Sequence, residues 1–230
     1  MTAWSFCRLF HHKDRTKGEP EVEVKLIALT RYLDGDGRAE SLIEHAGRVC
    51  YRSSGRGNPA AFIRARIREG HESIIEHASA TFEISGISRA CSHQLVRHRL
   101  ASYSQESQRY VDLSQPDLVI PPAIAANPEA METWRQLTEQ MIDAYRTLLK
   151  LGVQKEDARF LLPNAVATRI VVTMNFRELL HFFRVRIHPA AQWEIRALAI
   201  EMLKIVAAES PAVFGPVHED LQETFPTLFG

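Results

Sequence analysis

The sequence has few cysteines and no excess of charge of either sign. Its three cysteines, Cys7, Cys50 and Cys91, are an odd set without CxxC spacing, which argues against a disulfide framework and against a zinc site. We therefore expect a reducing, cytoplasmic environment, with Cys50 and Cys91 as small core residues on apolar helix faces. The formal net charge is zero, so no overall field would draw the chain to a nucleic acid or an anionic membrane, and we expect neither as a partner.

Several common signatures are also missing. The chain contains no internal repeat, no low-complexity tract, and neither a GxGxxG nor a GxxxxGK(S/T) phosphate loop. Residues 1–20 are interrupted by Arg8 and His11, and we interpret them as a tail that is too short for a membrane span. Arginine, by contrast, is abundant: 22 of the 28 basic residues are Arg. Because Arg grips phosphate and planar imide groups with a fixed fork of donors, this bias favours a locally bound anion.

The periodicity of the apolar residues predicts a mixed α+β domain. Strands are expected at 21–29, at 79–85 with Gly86 ending it, and at 168–175. Helices are expected at 39–51, 58–70, 87–99, 129–151, 155–162, 176–186 and 190–210, followed by an irregular tail after Pro211. The strands are too few and too unevenly spaced for a parallel doubly wound sheet. We predict one domain over residues 21–230, preceded by the tail at 1–20.

The most unusual segment runs from Arg97 to Tyr110, where three arginines stand among serine, tyrosine and glutamine side chains. It follows the end of a predicted helix, and its cationic, hydroxyl and backbone donors suit an anion. Two other interpretations remain open from composition. One is a solvated helix end whose basic residues complement the helix dipole, and the other is a nucleic-acid contact in which Arg binds phosphate while Tyr stacks on bases.

A second polar cluster comprises His71, Glu72, Glu76 and His77. Its spacing is HExxxEH rather than the HExxH of zinc enzymes, and residues six apart on a helix do not share a face. We therefore predict no metal site.

The triplet Arg97-His98-Arg99, followed after seven residues by Ser107, resembles the RHR(x)7S signature of flavin-dependent thymidylate synthases. The similarity extends to Arg109-Tyr110, to Gly70-His71-Glu72-Ser73 and to Ala191-Gln192-Trp193-Glu194-Ile195. The resemblance implies a largely antiparallel twisted sheet packed with helices, a non-Rossmann FAD-binding fold and a homotetramer. It also implies reductive methylation of dUMP to dTMP, with methylenetetrahydrofolate as carbon donor and FAD, reduced by NADPH, as hydride carrier.

The resemblance further implies roles for individual residues. Those expected to bind FAD are Ser73, Arg97, His98, Arg99, Gln105, Asn175, Arg177 and His181. Those expected to bind dUMP are Gln94, Leu95, Val96, Arg97, Gln105, Glu106, Ser107, Gln108, Arg109, Arg159 and Arg186. Arg186 is the expected catalytic residue, because a guanidinium facing the uracil imide would favour its ionised form and raise the electron density at the carbon to be methylated.

Within that set, Ser107, Arg109 and Arg159 suit the dUMP phosphate, because charge-assisted hydrogen bonds hold such a group well. We expect Ser107 to be a ligand rather than a nucleophile, since no base for it is evident, and no cysteine nucleophile is required. The alternative hypothesis is a non-catalytic nucleotide- or RNA-binding protein that uses the same Arg and Ser segment.

Overall fold

A four-stranded antiparallel sheet forms the centre of the chain, for which this computed structural model describes residues 22–52 and 58–229. The strands are β1 Glu23–Leu29, β2 Ser79–Ser88, β3 Ala101–Gln105 and β4 Ala167–Asn175. Their order in the sheet is β1-β2-β4-β3, and each neighbouring pair is antiparallel. The predictions of an α+β fold and a largely antiparallel sheet are confirmed. The predicted tail at 1–20 lies outside the described residues.

Strand β2 shows why one face of the sheet is buried and corrects one sequence prediction. Phe82 and Ile84 alternate with polar neighbours and are buried against the core. The prediction that Gly86 ends this strand is wrong. Gly86 has φ +76° and lies where the pairing with β4 shifts between Ser85 and Ile87. Such a bulge absorbs one extra residue and lets the ladder continue.

Most of the helices lie close to the predicted positions. The helices are α1 Ala39–Tyr51, α2 Pro59–Arg68, α3 Arg89–Leu95, α4 Pro122–Ala125, α5 Pro128–Lys150, α6 Lys155–Ala158, α7 Phe176–Arg186, α8 Trp193–Glu209 and α9 Pro211–Thr224. Short 3₁₀ helices span Glu72–His77, Arg159–Leu161 and Pro226–Leu228. None of the helices in the described ranges combines the length and apolarity needed to cross a membrane.

Helix α3 is shorter than the predicted helix 87–99, because hydrogen bonds fix both of its ends. Ser88 is its N-cap, and the Ser88 Oγ accepts the backbone N–H of Cys91 at 3.0 Å. Beyond the other end, the Tyr103 hydroxyl donates to the carbonyl oxygens of Leu95 and His98, each at 2.8 Å. These two contacts hold the chain as it turns back after the seven residues of α3, about two helical turns, and leads into β3.

The prediction of an irregular tail after Pro211 is wrong, because α9 occupies that segment. Pro211 stands in the first turn of α9, where a helix has no use for the missing N–H. The buried carboxylate of Glu40, at the start of α1, accepts the backbone N–H of Ala212 at 2.6 Å. A contact between residues far apart in sequence therefore stabilises a helix that contains Pro216 and that local sequence disfavours.

The main core lies between the buried sheet face and helices α7, α8 and α9. Phe214 packs against Phe176 and Phe183 with the rings in edge-on contact, at centroid distances of 4.8 and 5.9 Å. Cys91 is a buried core residue, as predicted, whereas the same prediction for Cys50 is wrong because its side chain is exposed. Cys50 lies in the last turn of α1.

Candidate active site

Helix α7 presents an exposed row of basic residues. Arg177, His181 and Arg184 are spaced at i, i+4 and i+7, which places them on one face of the helix, and all three are exposed. The helix begins at Asn175, whose Oδ1 accepts the backbone N–H of Glu178 at 2.8 Å. Asn175 therefore acts as the N-cap that sets the position of this row.

The 3₁₀ helix that precedes β2 lies beside the same row. Its Glu72 forms ion pairs with Arg184 at 3.0 Å and with Arg177 at 3.7 Å, and its Glu76 pairs with Arg177. Ser73, on the same turn, is exposed. The structure thus brings three of the residues predicted to bind FAD, Ser73, Arg177 and His181, to one open surface.

Behind that surface, the His98 ring lies between the carboxylate of Glu178 and the guanidinium of Arg186. Its Nδ1 lies 3.2 Å from Glu178 Oε1, and its Nε2 lies 3.0 Å from Arg186 Nε, which donates to it. A guanidinium can only donate, so Nε2 is the acceptor and the ring proton lies on Nδ1, directed at the carboxylate. His98 and Glu178 are only 5% and 6% exposed, and solvent therefore competes little for these bonds.

The protonation state of His98 follows from the same surroundings. Burial, followed by the positive charge of Arg186, lowers the pKa of His98 below its usual value, while the hydrogen bond and charge of Glu178 oppose that shift. The imidazole is therefore neutral at pH 7. Because both ring nitrogens are occupied, a flavin contact by either would displace Glu178 or Arg186. The flavin role expected for His98 remains a prediction.

Arg186, the predicted catalytic residue, is fixed by a second contact. Its Nη2 donates to the backbone carbonyl of Gln94 at 3.1 Å, and the Gln94 side chain in turn donates to Gln192 at 3.4 Å. Within the described ranges Nη1 of Arg186 forms no hydrogen bond. A half-buried guanidinium is thus held in one orientation with one amino group free to donate.

A second group of predicted residues lies near the opposite end of α3, beginning at Gln105. The Gln105 amide nitrogen donates to Ser92 Oγ at 2.8 Å and to Thr168 Oγ1 at 3.3 Å. These bonds hold the half-buried side chain against α3 and β4. Gln105 is therefore positioned by the protein interior rather than by solvent.

Arg89, at the first turn of α3, faces the same group. One of its terminal nitrogens donates to the backbone carbonyl of Glu106, whereas its buried Nε has no hydrogen-bond partner among the described residues. Burial lowers the pKa of Arg89, the charge of Glu106 opposes this shift, and the nearby charge of Arg159 lowers it further. A buried donor beside a second guanidinium is the environment that an anionic acceptor would stabilise.

The turn at 107–109 completes this second group. Ser107 Oγ accepts the backbone N–H of Arg109 at 3.3 Å, and Gln108 is half-buried between them. Arg109 forms an ion pair with Glu156 at 2.8 Å. Arg159 donates from Nε to the backbone carbonyl of Glu156 at 3.0 Å, so three of the predicted phosphate ligands lie around a single short segment.

The remaining predicted residues lie at the end of α3 and directly after it. Leu95 is fully buried, so only its backbone could face a ligand, and its carbonyl already accepts the Tyr103 hydroxyl. Val96, Arg97 and Arg99 are exposed. They lie at the same end of α3 as Gln94 and Arg186. Arg89 and Gln94 are five positions apart in the helix, a rise of about 8 Å. The two groups therefore occupy opposite ends of one short helix.

Two residues of the site were missed in the sequence. Neither Arg89 nor Glu178 was assigned a role from the sequence. The signal for Glu178 was its place three residues after the capping Asn175, where a glutamate is common in a first helical turn. Nothing in the sequence pairs it with His98, 80 residues earlier. Within 22–52 and 58–229, no three His, Cys, Asp or Glu side chains converge as they would around a metal ion.

Comparison with known proteins shows what class this arrangement belongs to. Residues 28–212 match the family model described as thymidylate synthase complementing protein. A flavin-dependent thymidylate synthase of Geobacter sulfurreducens is 48% identical over 186 residues, covering 76% of this chain and 80% of that protein. One of Mycolicibacterium gilvum is 42% identical over 222 residues, covering 84% and 88%. One of Thermococcus onnurineus is 54% identical over 142 residues, covering 60% and 58%.

The chain belongs to the flavin-dependent thymidylate synthase family. The resemblance stated from the RHR(x)7S segment is therefore confirmed, as are the predictions of an enzyme, of a flavin cofactor and of a function in thymidylate synthesis. The alternative of a non-catalytic nucleotide or RNA binder gains no support from these relatives. The roles of the individual residues are a separate matter and are argued below from the geometry.

Proposed function

We propose that the chain methylates dUMP reductively to dTMP, with 5,10-methylenetetrahydrofolate as carbon donor and NADPH as the reductant of FAD. The observation that carries the proposal is the fixed guanidinium of Arg186, held by His98 and by the Gln94 carbonyl with Nη1 left to donate. A donor fixed in advance costs no reorganisation when charge develops on the substrate. Placed against the uracil imide, Arg186 favours the ionised pyrimidine and so increases the nucleophilicity of its C5 carbon.

The second group supplies the anion site for the dUMP phosphate. Arg109 and Arg159 both contact Glu156, and Ser107 bonds to the backbone of Arg109. We add Arg89, whose buried Nε lacks a partner among the described residues. The Arg109 ion pair with Glu156 is about half exposed, so exchanging it for a phosphate costs little. Charge-assisted bonds from several arginines would hold the phosphate and thereby orient the base.

The donor set on α7 fits an anionic flavin dinucleotide better than a metal ion. Arg177 and Arg184 supply exposed guanidinium groups along one face, with the ring nitrogens of His181 between them, and Ser73 adds a hydroxyl beside them. Such groups suit a pyrophosphate, and they would hold the cofactor together with Arg97 and Arg99 at the end of α3. When bound, FAD supplies the hydride that completes the methyl group.

We further propose a single domain over residues 21–230 that works as a cytoplasmic homotetramer with sites shared between subunits. The two residue groups lie at opposite ends of α3. A dUMP site would then combine the Arg186 group of one subunit with the Arg159 group of a neighbouring subunit. Exposed apolar side chains support this arrangement. Phe160, next to Arg159, is 82% exposed, and Leu137 and Met141 on α5 are 50% and 41% exposed.

The proposed reaction is tested by reconstitution. Purified protein is loaded with FAD and supplied with dUMP, methylenetetrahydrofolate and NADPH, and dTMP is quantified by chromatography. We expect dTMP to form at a rate that requires all four compounds. The proposal would be rejected if flavin-loaded protein oxidised NADPH but formed no dTMP.

The shared site is tested by mixing two inactive variants. Arg186→Ala and Arg159→Ala are unfolded together in equal amounts and refolded, so that subunits combine at random. If one subunit supplies Arg186 and another supplies Arg159, about a quarter of the sites are intact and activity returns to about that fraction. Activity that stays at the level of the separate variants would place both residues in a single subunit's site. Refolded wild-type protein is the control for recovery.

A further inference from the structure

Glu178 is a buried carboxylate that contacts the predicted catalytic machinery without belonging to any of the assigned sites. It is 6% exposed, and its Oε1 lies 3.2 Å from His98 Nδ1. Its backbone N–H is satisfied separately by Asn175. Burying a carboxylate carries a large desolvation cost unless hydrogen bonds offset it, so its contact with His98 calls for a functional reason.

The reason lies in the tautomer of His98. Arg186 Nε can only donate, and it donates to His98 Nε2 at 3.0 Å. This bond exists only when the ring proton lies on Nδ1. A carboxylate at Nδ1 is the acceptor that holds the proton there. Without it, the proton can move to Nε2, where two donors, the imidazole N–H and the guanidinium N–H, would face each other.

Helix geometry makes the arrangement rigid. Glu178, Phe182 and Arg186 are spaced at i, i+4 and i+8 and therefore follow one face of α7. The His98 ring lies along that face, with the edge of Phe182 against it at a centroid distance of 5.0 Å. The carboxylate and the guanidinium that bond to the two ring nitrogens thus belong to the same helix.

We propose that Glu178 is a positioning residue, which fixes the Nδ1-protonated tautomer of His98 so that Nε2 can hold the Arg186 guanidinium towards the substrate. The inference rests on the proposed function of Arg186. It assigns Glu178 and His98 an electrostatic and geometric role in the reaction, in addition to any contribution to stability.

The groups that face His98 are few. Glu178, His181 and Arg186 face it from α7, and the Tyr103 hydroxyl from β3 bonds to its backbone carbonyl. Because burial and Arg186 lower the pKa of His98 while Glu178 raises it, the ring is neutral above its lowered pKa. Protonation at lower pH places a proton on Nε2 and breaks the bond from Arg186, so kcat should fall as pH decreases through that pKa.

The test compares Glu178→Gln with Glu40→Gln. Both replace a buried carboxylate that accepts a hydrogen bond, but Glu40 caps α9 and does not contact His98. We expect Glu178→Gln to lower kcat about tenfold, the effect of losing about 1.4 kcal/mol of transition-state stabilisation, with less than a twofold change in the KM for dUMP. Its acidic limb should move to lower pH, because the group that raises the pKa of His98 is gone. Glu40→Gln should leave kcat within about twofold and leave the limb in place.

A second measurement does not depend on turnover. Nitrogen-15 spectra of histidine-labelled protein separate the two neutral tautomers by chemical shift, and His98→Gln assigns the signal. We expect Nδ1 protonation in the wild type and a shift towards Nε2 protonation in Glu178→Gln, with equal FAD content in both. If Glu178→Gln does not fold, Glu178→Asp, which keeps the charge but withdraws it by one methylene, is used with the same expectation of a weakened Nδ1 preference.

Two results would overturn the inference: an unchanged tautomer in the Glu178 variants, or an acidic limb that stays in place while kcat falls. The tautomer measurement does not depend on turnover of any substrate. Failure of the proposed function would appear differently, as wild-type protein that binds FAD and shows the expected His98 tautomer but forms no dTMP.

Discussion

Truncating Arg186 to alanine should stop methylation while leaving the flavin in place. The side chain makes two bonds inside the protein, at 3.0 Å to His98 Nε2 and at 3.1 Å to the Gln94 carbonyl, and offers Nη1 to the substrate. Removing one preorganised donor from a developing charge costs about 2.7 to 4 kcal/mol, which corresponds to a fall in kcat of about 10² to 10³. Arg186 does not belong to the exposed row of Arg177, His181 and Arg184 on α7, so FAD content should change by less than about twofold.

The same truncation has a stability cost that sets the conditions of the assay. It leaves His98 Nε2 without its donor, a penalty of about 1 to 3 kcal/mol, whereas the Gln94 carbonyl keeps the backbone N–H of Arg97. For a chain of this size each kcal/mol lowers Tm by about 2 to 4 °C. Rates should therefore be measured well below the Tm of the variant. Because substitution by alanine can also act through folding, the Tm and the FAD content are recorded for each preparation.

Arg135→Ala is the matched control, because Arg135 is an exposed helix arginine whose ion pair with Glu132 lies on the surface of α5. It should retain full activity. Arg99→Ala should behave in the opposite way to Arg186→Ala, since Arg99 is expected to bind FAD: flavin is lost first, and added FAD restores much of the rate. If Arg186→Ala loses flavin in proportion to its loss of dTMP formation, the separate roles of the two arginines are refuted.

Three further predictions concern stability and reactivity. Phe183→Ala removes a fully buried ring that packs against Phe214 and should lower the free energy of unfolding by about 3 to 5 kcal/mol in urea titrations; a loss below 1 kcal/mol would contradict this packing. Tyr103→Phe leaves the His98 carbonyl without its donor, whereas the Leu95 carbonyl keeps the backbone N–H of His98, and the change should cost about 1 to 3 kcal/mol by the same method. Burial, followed by the charge of Glu194, raises the pKa of Cys91. Its thiol should therefore stay unlabelled by a maleimide, even at alkaline pH, until the protein unfolds. The exposed Cys50 should be labelled in the native state, and mass spectrometry measures both.

The local sequence pattern predicted helix bounds correctly where those bounds depend mainly on residues close in sequence. The helix at 39–51 and the one at 176–186 were predicted with the bounds that the structure shows for α1 and α7. Apolar periodicity was sufficient for them, because a stripe of buried residues must follow the helical repeat. Two of the failures, at Gly86 and after Pro211, have a common cause. In both places a residue that usually interrupts an element is accommodated by a distant partner, either the β4 ladder or the Glu40 carboxylate.

The sequence by itself determined the family and the inventory of reactive groups. The RHR(x)7S string, from Arg97 to Ser107, carries that information because a signature is a property of order along the chain. It could not determine which groups meet. Only the tertiary structure joins Glu178 and Arg186 to opposite sides of the His98 ring and leaves the Arg89 Nε buried beside Arg159. Hydrogen bonds and charges act over a few ångströms in space, whereas these residues are tens of positions apart, and only folding brings them together.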